Sequence, residues 1–217
     1  MTFKTTWVSD APLVIAHRGA SAIAPENTLS AFRKAEELGA DAIEFDVKLS
    51  RDGVPIILHD MTLERTTDGE GEVKNLTFTE LQRLDAGSKF SPVFTGERIP
   101  TLRQLLDEFK DRLLLNIELT NYNALSDSLP LEVIRNLHET NLAESILVSS
   151  FNPIALSRIQ KLDPRIRTAL LIGDATARPL QWLLEALTPH QDLHPHHRRV
   201  NESLIRRTHR SKGRVNT

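Results

Sequence analysis

The sequence predicts an α/β fold built on a parallel sheet or a (β/α) barrel. Two observations carry this. Short apolar runs of β type alternate with segments of helical periodicity along most of the 217 residues. Acids and histidines also sit in or just after those β-type runs, in Ala16-His17-Arg18-Gly19, Glu44-Phe45-Asp46, Leu58-His59-Asp60 and Asn116-Ile117-Glu118.

The elements follow in order. Residues 13–17 form the first strand. Residues 28–38 form a helix in which Leu29, Phe32, Ala35 and Leu38 share a face and which Gly39 stops. Residues 42–47 are the second strand. The segment 102–109 is amphipathic, with Leu102, Leu105, Leu106 and Phe109 at helical spacing, and the strand 113–119 follows it. The pattern then alternates: helix 130–138, strand 146–150, helix 153–162, strand 168–172, helix 179–187 and a last helix 201–210 with Asn201 as its cap. Residues 214–217 begin something extended.

Two places break the alternation. Asp52-Gly53 signals a two-residue hairpin. It would pair Arg51 with Val54, set Asp46 opposite His59, and so bring the second histidine beside the carboxylates. Residues 60–100 are rich in Thr, Gly, Asp and Glu, with one helical fragment at 79–84. They read as a lid or inserted subdomain packed near His59 and contributing to recognition of the substrate.

Composition narrows the class. An apolar fraction of 40% supports one core, and a single domain over 1–217 is expected. With no cysteine there is no disulfide, thiolate metal site or thiol nucleophile, which fits a reducing cytoplasm. Residues 1–10 hold no apolar run of signal-peptide length, and no stretch reaches membrane-span length. A soluble, cytoplasmic protein is expected; nothing fixes its oligomeric state. The net charge of −2 conceals a basic end: from His194 onward seven Lys/Arg face one acid, giving +6 there and −8 elsewhere. Without interleaved aromatics to stack bases, this reads as a solvated helix face rather than a nucleic-acid surface. His190, His194, His196 and His197 are irregularly spaced and interrupted by proline, and read as a rim loop.

The chemistry lies elsewhere. Side chains alternate along a strand, so Glu44 and Asp46 point to one side. Two carboxylates on one face of an apolar strand are costly unless a cation or donors compensate them. Glu118, His17 and His59 in similar settings supply the rest of what metal-assisted acid–base chemistry needs. An all-oxygen donor set points to a hard cation rather than zinc.

His17-Arg18-Gly19, Pro25-Glu26-Asn27-Thr28, Glu44-Phe45-Asp46, the Asp52-Gly53 turn, His59-Asp60 and Ile117-Glu118 form an ordered set that resembles the glycerophosphodiester phosphodiesterase family. The likeness runs from about residue 14 to the end. It implies a TIM-type barrel that hydrolyses glycerophosphodiesters to glycerol 3-phosphate and an alcohol with one divalent cation, Ca²⁺ or Mg²⁺. By motif, His17 and His59 would be the acid–base pair, Glu44, Asp46 and Glu118 the metal ligands, and Arg18 the phosphate holder. Glu26 and Asn27 would cap or brace the first helix.

Two departures stand out. The family carries a lysine two residues after the third acid; here that residue is Thr120, and Lys48 or Lys89 would have to substitute. The family also continues past residue 217, so a barrel lacking its closing C-terminal segment is expected. The alternatives to a glycerophosphodiesterase are a related barrel phospholipase acting on intact lipid and a non-catalytic, phosphate-binding remnant. A lipid-active enzyme should show an exposed apolar loop or amphipathic helix, and the polar 60–100 segment favours a soluble substrate.

Overall fold

The computed structural model describes residues 7, 9, 11–122, 124–142 and 146–217. Most of the 1–10 segment, examined above for a leader, lies outside the described residues. One curled sheet runs through the molecule in the order β1 (Ile15–His17), β2 (Ala42–Leu49), β4 (Leu114–Leu119), β5 (Ile146–Ser150), β6 (Arg167–Ile172) and β7 (Asp192–Pro195). These strands are parallel, while β3 (Pro55–Ile57) pairs antiparallel with β2. The helices connecting parallel neighbours are α1 (Leu29–Glu37), α3 (Leu102–Phe109), α4 (Leu129–Thr140), α5 (Pro153–Leu162) and α6 (Arg178–Leu187). A short α2 (Phe78–Leu81) lies in the 60–100 segment, and α7 (Glu202–Arg210) follows β7. After α7, Val215 makes a parallel bridge to Leu193 on the outer edge of β7. This is the expected α/β barrel architecture.

Alternation along the strands divides the core in two. Ile43, Phe45, Val47, Leu115, Ile117, Leu119 and Val148 face the helices. There Phe32 packs edge-on to Phe45 and Phe109 at 5.9 and 6.1 Å between centroids. Each such pair adds about 0.5–1.5 kcal/mol beyond the area it buries. On the opposite, inward face, Ala42, Leu114, Leu147 and Ala169 close around Trp7. Further along the same face the side chains turn polar: Glu44 and Asp46 on β2, Asn116 and Glu118 on β4. An apolar plug therefore closes the N-terminal end of the sheet's interior and leaves the C-terminal end to charged groups.

The β2–β3 hairpin differs from the expected register. Val47 faces Ile57 and Leu49 faces Pro55, so the amide of Leu58, not His59, donates to the Asp46 carbonyl at 3.0 Å. The loop is three residues long: Gly53 donates to the Ser50 carbonyl and Ser50 to that of Val54, with Gly53 at φ +80°. Glycine thus serves the left-handed position of a bulged turn rather than the second position of a two-residue one.

The histidine tract is also corrected. Residues 192–195 form β7 with His194 buried on it, so that histidine belongs to a strand, while His196 stays in the loop at the rim of the sheet. The strand's signal was too short, and too polar, for periodicity to find. Residues 60–100 form a small layer around Ile56, Leu58, Leu63, Val73, Leu81 and Ile99 beside the sheet.

Gly19 links β1 to α1 at φ +80°, and a Cβ there would lie 2.7 Å from the Ala31 carbonyl carbon. Gly39 has a similar φ of +83° with nothing within 4 Å. Gly39→Ala is expected to cost only the left-handed strain, about 1–2 kcal/mol. Gly19→Ala must also displace backbone, and should cost more in urea denaturation. Equal losses at the two sites would show that the β1–α1 approach is not as tight as described.

Candidate active site

Strand register assembles the site. Parallel pairing sets His17 beside Glu44, Glu44 beside Asn116, and Asp46 beside Glu118. Each pair shares a side because pleats of neighbouring strands are in phase. Glu44, Asp46 and Glu118 each offer a carboxylate oxygen, and the three lie within 4.8 Å of one another. All three are buried, at 6%, 1% and 9% exposure.

What compensates them differs from residue to residue. Asp46 Oδ2 accepts from Asn27 Nδ2 at 2.8 Å and lies 3.1 Å from Arg18 Nε. Glu118 accepts from the Tyr122 hydroxyl at 2.6 Å. Glu44 Oε2 accepts from the Arg18 amide at 3.1 Å, and its other oxygen, Oε1, is buried with no partner. An orphaned buried carboxylate oxygen facing two further carboxylates is a donor set that a hard divalent cation fits. Without such an ion, burial, and then Asp46 and Glu118, drive the Glu44 carboxyl well above its ordinary pKa. Burial, and then Asp46, push Glu118 up to about 7.

Arg18 and Asn27 reach Asp46 from strained backbone. Both have left-handed φ, 58° and 59°, at non-glycine positions. Their main chains are tied together, the Asn27 amide donating to the Arg18 carbonyl at 3.1 Å. Asn27 is therefore not a helix cap; Thr28 is, accepting from Ala31. Glu26 does not brace the helix either. It holds Arg18 at 2.9 Å and Arg65 at 2.7 and 2.8 Å.

Arg65 continues the chain of alternating charge. It bonds both oxygens of Asp60, and Asp60 Oδ1 lies 2.6 Å from His59 Nδ1. Hydrogen bonds from Arg65 hold the Asp60 carboxyl down at about 2. An ionised Asp60 accepts from Nδ1–H, so His59 presents Nε2 to the site. From the other side, His17 Nε2 lies 3.8 Å from Glu44 Oε2. Partial loss of water around an otherwise exposed ring, then the charge of Arg18, hold the His17 pKa below its ordinary value.

These groups open onto one cavity of about 500 Å³, whose lining includes His17, Arg18, Glu44, His59, Asn116 and Glu118. All six motif residues named from sequence thus gather in one place, except that Asp46 lies behind Arg18 rather than on the cavity wall. The opposite wall is apolar: Tyr122, Phe151, Leu171 and Ile172. Tyr122 and Phe151 meet edge-to-face at 5.5 Å, so these two aromatics line the site rather than the core. No residue of the 60–100 segment lines the cavity; that segment instead holds His59 from behind through Asp60 and Arg65.

The Thr120 departure is also resolved in part. Thr120 donates to the Val47 carbonyl at 3.0 Å and stitches β4 to β2. Lys48 donates to the carbonyls of His59, at 2.7 Å, and Asp60, and burial pushes its pKa down to about 8. Lys89 is bound to the Glu64 carbonyl. Neither lysine lines the cavity, and Arg18 is the one arginine or lysine that does among the described residues.

Comparison with known proteins gives the family and the fold. Residues 17–217 match the model of the glycerophosphoryl diester phosphodiesterase family. A glycerophosphodiester phosphodiesterase of Caldanaerobacter subterraneus subsp. tengcongensis is 41% identical over 194 residues, covering 89% of this chain and 79% of its own. The crystal structure of an Oleispira antarctica phosphodiesterase, solved in complex with the product sn-glycerol-3-phosphate, superposes with a TM-score of 0.84 at 34% identity, over 94% of this chain and 83% of that one. A glycerophosphodiester phosphodiesterase structure from Agrobacterium tumefaciens gives 0.81 at 29% identity, over 94% and 85%.

The carboxylate cluster has a thermodynamic signature. Glu118 titrates near 7 when folded against an ordinary 4.5, so between those values the folded chain holds more protons than the unfolded one. Stability of the cation-free protein should therefore fall as pH rises through about 4.5–7. His194, pushed down to about 4 by burial, acts in the opposite sense below 6.5, so the readout is a difference between proteins. Thermal melts should show Glu118→Gln losing less stability than wild type across that window. Parallel curves would mean that the glutamate is not destabilised where it sits.

Proposed function

The chain belongs to the glycerophosphoryl diester phosphodiesterase family, a family of phosphoric diester hydrolases, and from that premise we propose that it hydrolyses glycerophosphodiesters to sn-glycerol 3-phosphate and an alcohol. The observation that carries this reading is the convergence of three buried carboxylates within 4.8 Å beside a cavity flanked by His17, His59 and Arg18. The family context also supports it: the Oleispira relative was solved with sn-glycerol-3-phosphate bound.

In this reading Glu44, Asp46 and Glu118 hold one divalent cation, Ca²⁺ or Mg²⁺. When bound, the cation neutralises phosphoryl oxygens and so lowers the barrier to attack on an anionic diester. Arg18 offers its guanidinium to the phosphate; already fixed by Glu26 and Asp46, it loses little freedom on binding. His17, with its lowered pKa, is neutral near pH 7 and accepts a proton from the attacking water at Nε2. As the new P–O bond forms, the P–O bond to the alcohol breaks. His59, entering the step as the imidazolium with Nδ1–H held by Asp60, delivers its Nε2 proton to the departing alkoxide and is left neutral. The apolar wall of Tyr122, Phe151 and Leu171 faces carbon rather than charge, and excludes water from one side of the reacting phosphate.

Turnover of glycerophosphocholine tests the assignment. His17→Ala and His59→Ala should each lower kcat by at least ~100-fold with the fold intact by circular dichroism. Asp60→Asn should cost less, since it misorients His59 without removing it. Chelation should abolish turnover, and Ca²⁺ or Mg²⁺ should restore it. A histidine variant with near-normal kcat, or turnover indifferent to chelation, would remove the corresponding part of the proposal.

A further inference from the structure

Helix α6 is built the wrong way round for a helix bathed in water. Of its residues, Gln181 is buried, and Leu184 and Glu185 are half-buried. Apart from the exposed Arg178 in its first position, the outward arc consists of Pro179, Leu180, Trp182, Leu183, Ala186 and Leu187 and carries no charge. Leu180, Trp182, Leu183 and Leu187 are 47%, 62%, 54% and 72% exposed. A surface helix ordinarily shows its polar stripe to solvent. Scattered exposed leucines need no account, but a contiguous apolar face on one helix does.

The surroundings of this face are cationic. A second cavity, of about 740 Å³, is lined by Arg178 and Trp182 of α6, by Arg198 and Arg199 of the loop after β7, and by Arg207 of α7. Asp174 is the one acid on its wall, 3.6 Å from Arg198. Arg207 is paired with Glu185 at 2.7 Å. Arg199 donates to the carbonyls of Asp174 and Thr176 and to the Gln181 side-chain oxygen, all neutral acceptors. Its charge is left for an anion to balance. The loops bearing this cavity are also those that carry Gly173 and His196 to the rim of the catalytic cavity.

We propose that the outward face of α6, with the adjoining arginine cavity, is a docking surface for a lipid bilayer rich in anionic headgroups. The chemistry of the two halves fits that one partner. Leucines enter the acyl boundary, Trp182 sits at headgroup depth between apolar and polar phases, and the arginines meet headgroup phosphates. A second copy of the chain would bring the same arginines against one another, which opposes self-association through this patch. Docked so, the mouth of the catalytic cavity lies beside the membrane surface. The inference uses no step of the proposed reaction and stands or falls separately.

Trp182 makes the test direct, because the other tryptophan, Trp7, is buried at 4% exposure. The 217-residue chain is mixed with vesicles of phosphatidylcholine alone or of phosphatidylcholine with phosphatidylglycerol. The expected result is co-sedimentation with the anionic vesicles, a blue shift of tryptophan emission, and release as salt rises to ~0.15 M and beyond. Leu183→Ser with Leu187→Ser should weaken partitioning at least ~10-fold. Arg198→Ala should weaken it on anionic vesicles, with turnover of a water-soluble diester unchanged in both variants. Failure to bind anionic vesicles, or equal binding to both vesicle types, overturns the proposal. So does a concentration-dependent dimer in lipid-free solution that the two serine substitutions disperse.

Discussion

Three carboxylates buried within 4.8 Å of one another are the constraint around which this molecule is arranged. Such a cluster repels itself and is poorly hydrated, so the chain must supply compensation or leave room for it. It does both. Arg18 and Asn27 are committed to Asp46, and each adopts left-handed backbone to get there. Tyr122 serves Glu118. One oxygen of Glu44 is left with nothing. The close approach of Gly19 to Ala31 and the tie between Arg18 and Asn27 are local consequences of bringing those partners to β2.

The same cluster links to the second histidine through alternating charge: Asp46, Arg18, Glu26, Arg65, Asp60, His59. Each link neutralises its neighbour, which is how so many ionised groups share a half-buried rim. The chain also explains what the 60–100 segment contributes. It reaches the site through Asp60 and Arg65, behind His59, and Lys48 ties down the carbonyls of His59 and Asp60. On the proposed reading, the segment sets the orientation of a proton donor rather than touching substrate.

Much of this could be read in the sequence, for physical reasons. The i, i+2 spacing of Glu44 and Asp46 on an apolar strand fixes a shared face whatever the tertiary structure. Helices α3 and α5 were legible because their apolar spacing is regular over two to three turns. The short strand β7 was not, since four residues of the sequence Asp-Leu-His-Pro carry no period. The hairpin register slipped by one because Asp52-Gly53 suits either a two-residue or a bulged three-residue turn, and only the pairing decides. Arg65 left no signal and Glu26 was read as a helix brace, because ion pairs 39 residues apart are products of the fold. The inverted α6 was read as an ordinary helix because periodicity reports that a face is apolar, not which way it points.

The central claim is that the Glu44, Asp46 and Glu118 cluster is completed by one divalent cation. Calorimetric titration of the metal-free protein with Ca²⁺ or Mg²⁺ near pH 7, in two buffers of different ionisation enthalpy, tests it most directly. The account predicts one ion per chain with net proton release, since Glu118 titrates near 7 without it and the same burial and crowding raise Glu44. It also predicts that Glu44→Gln abolishes both signals. An absence of binding, or binding that Glu44→Gln leaves untouched, would contradict it.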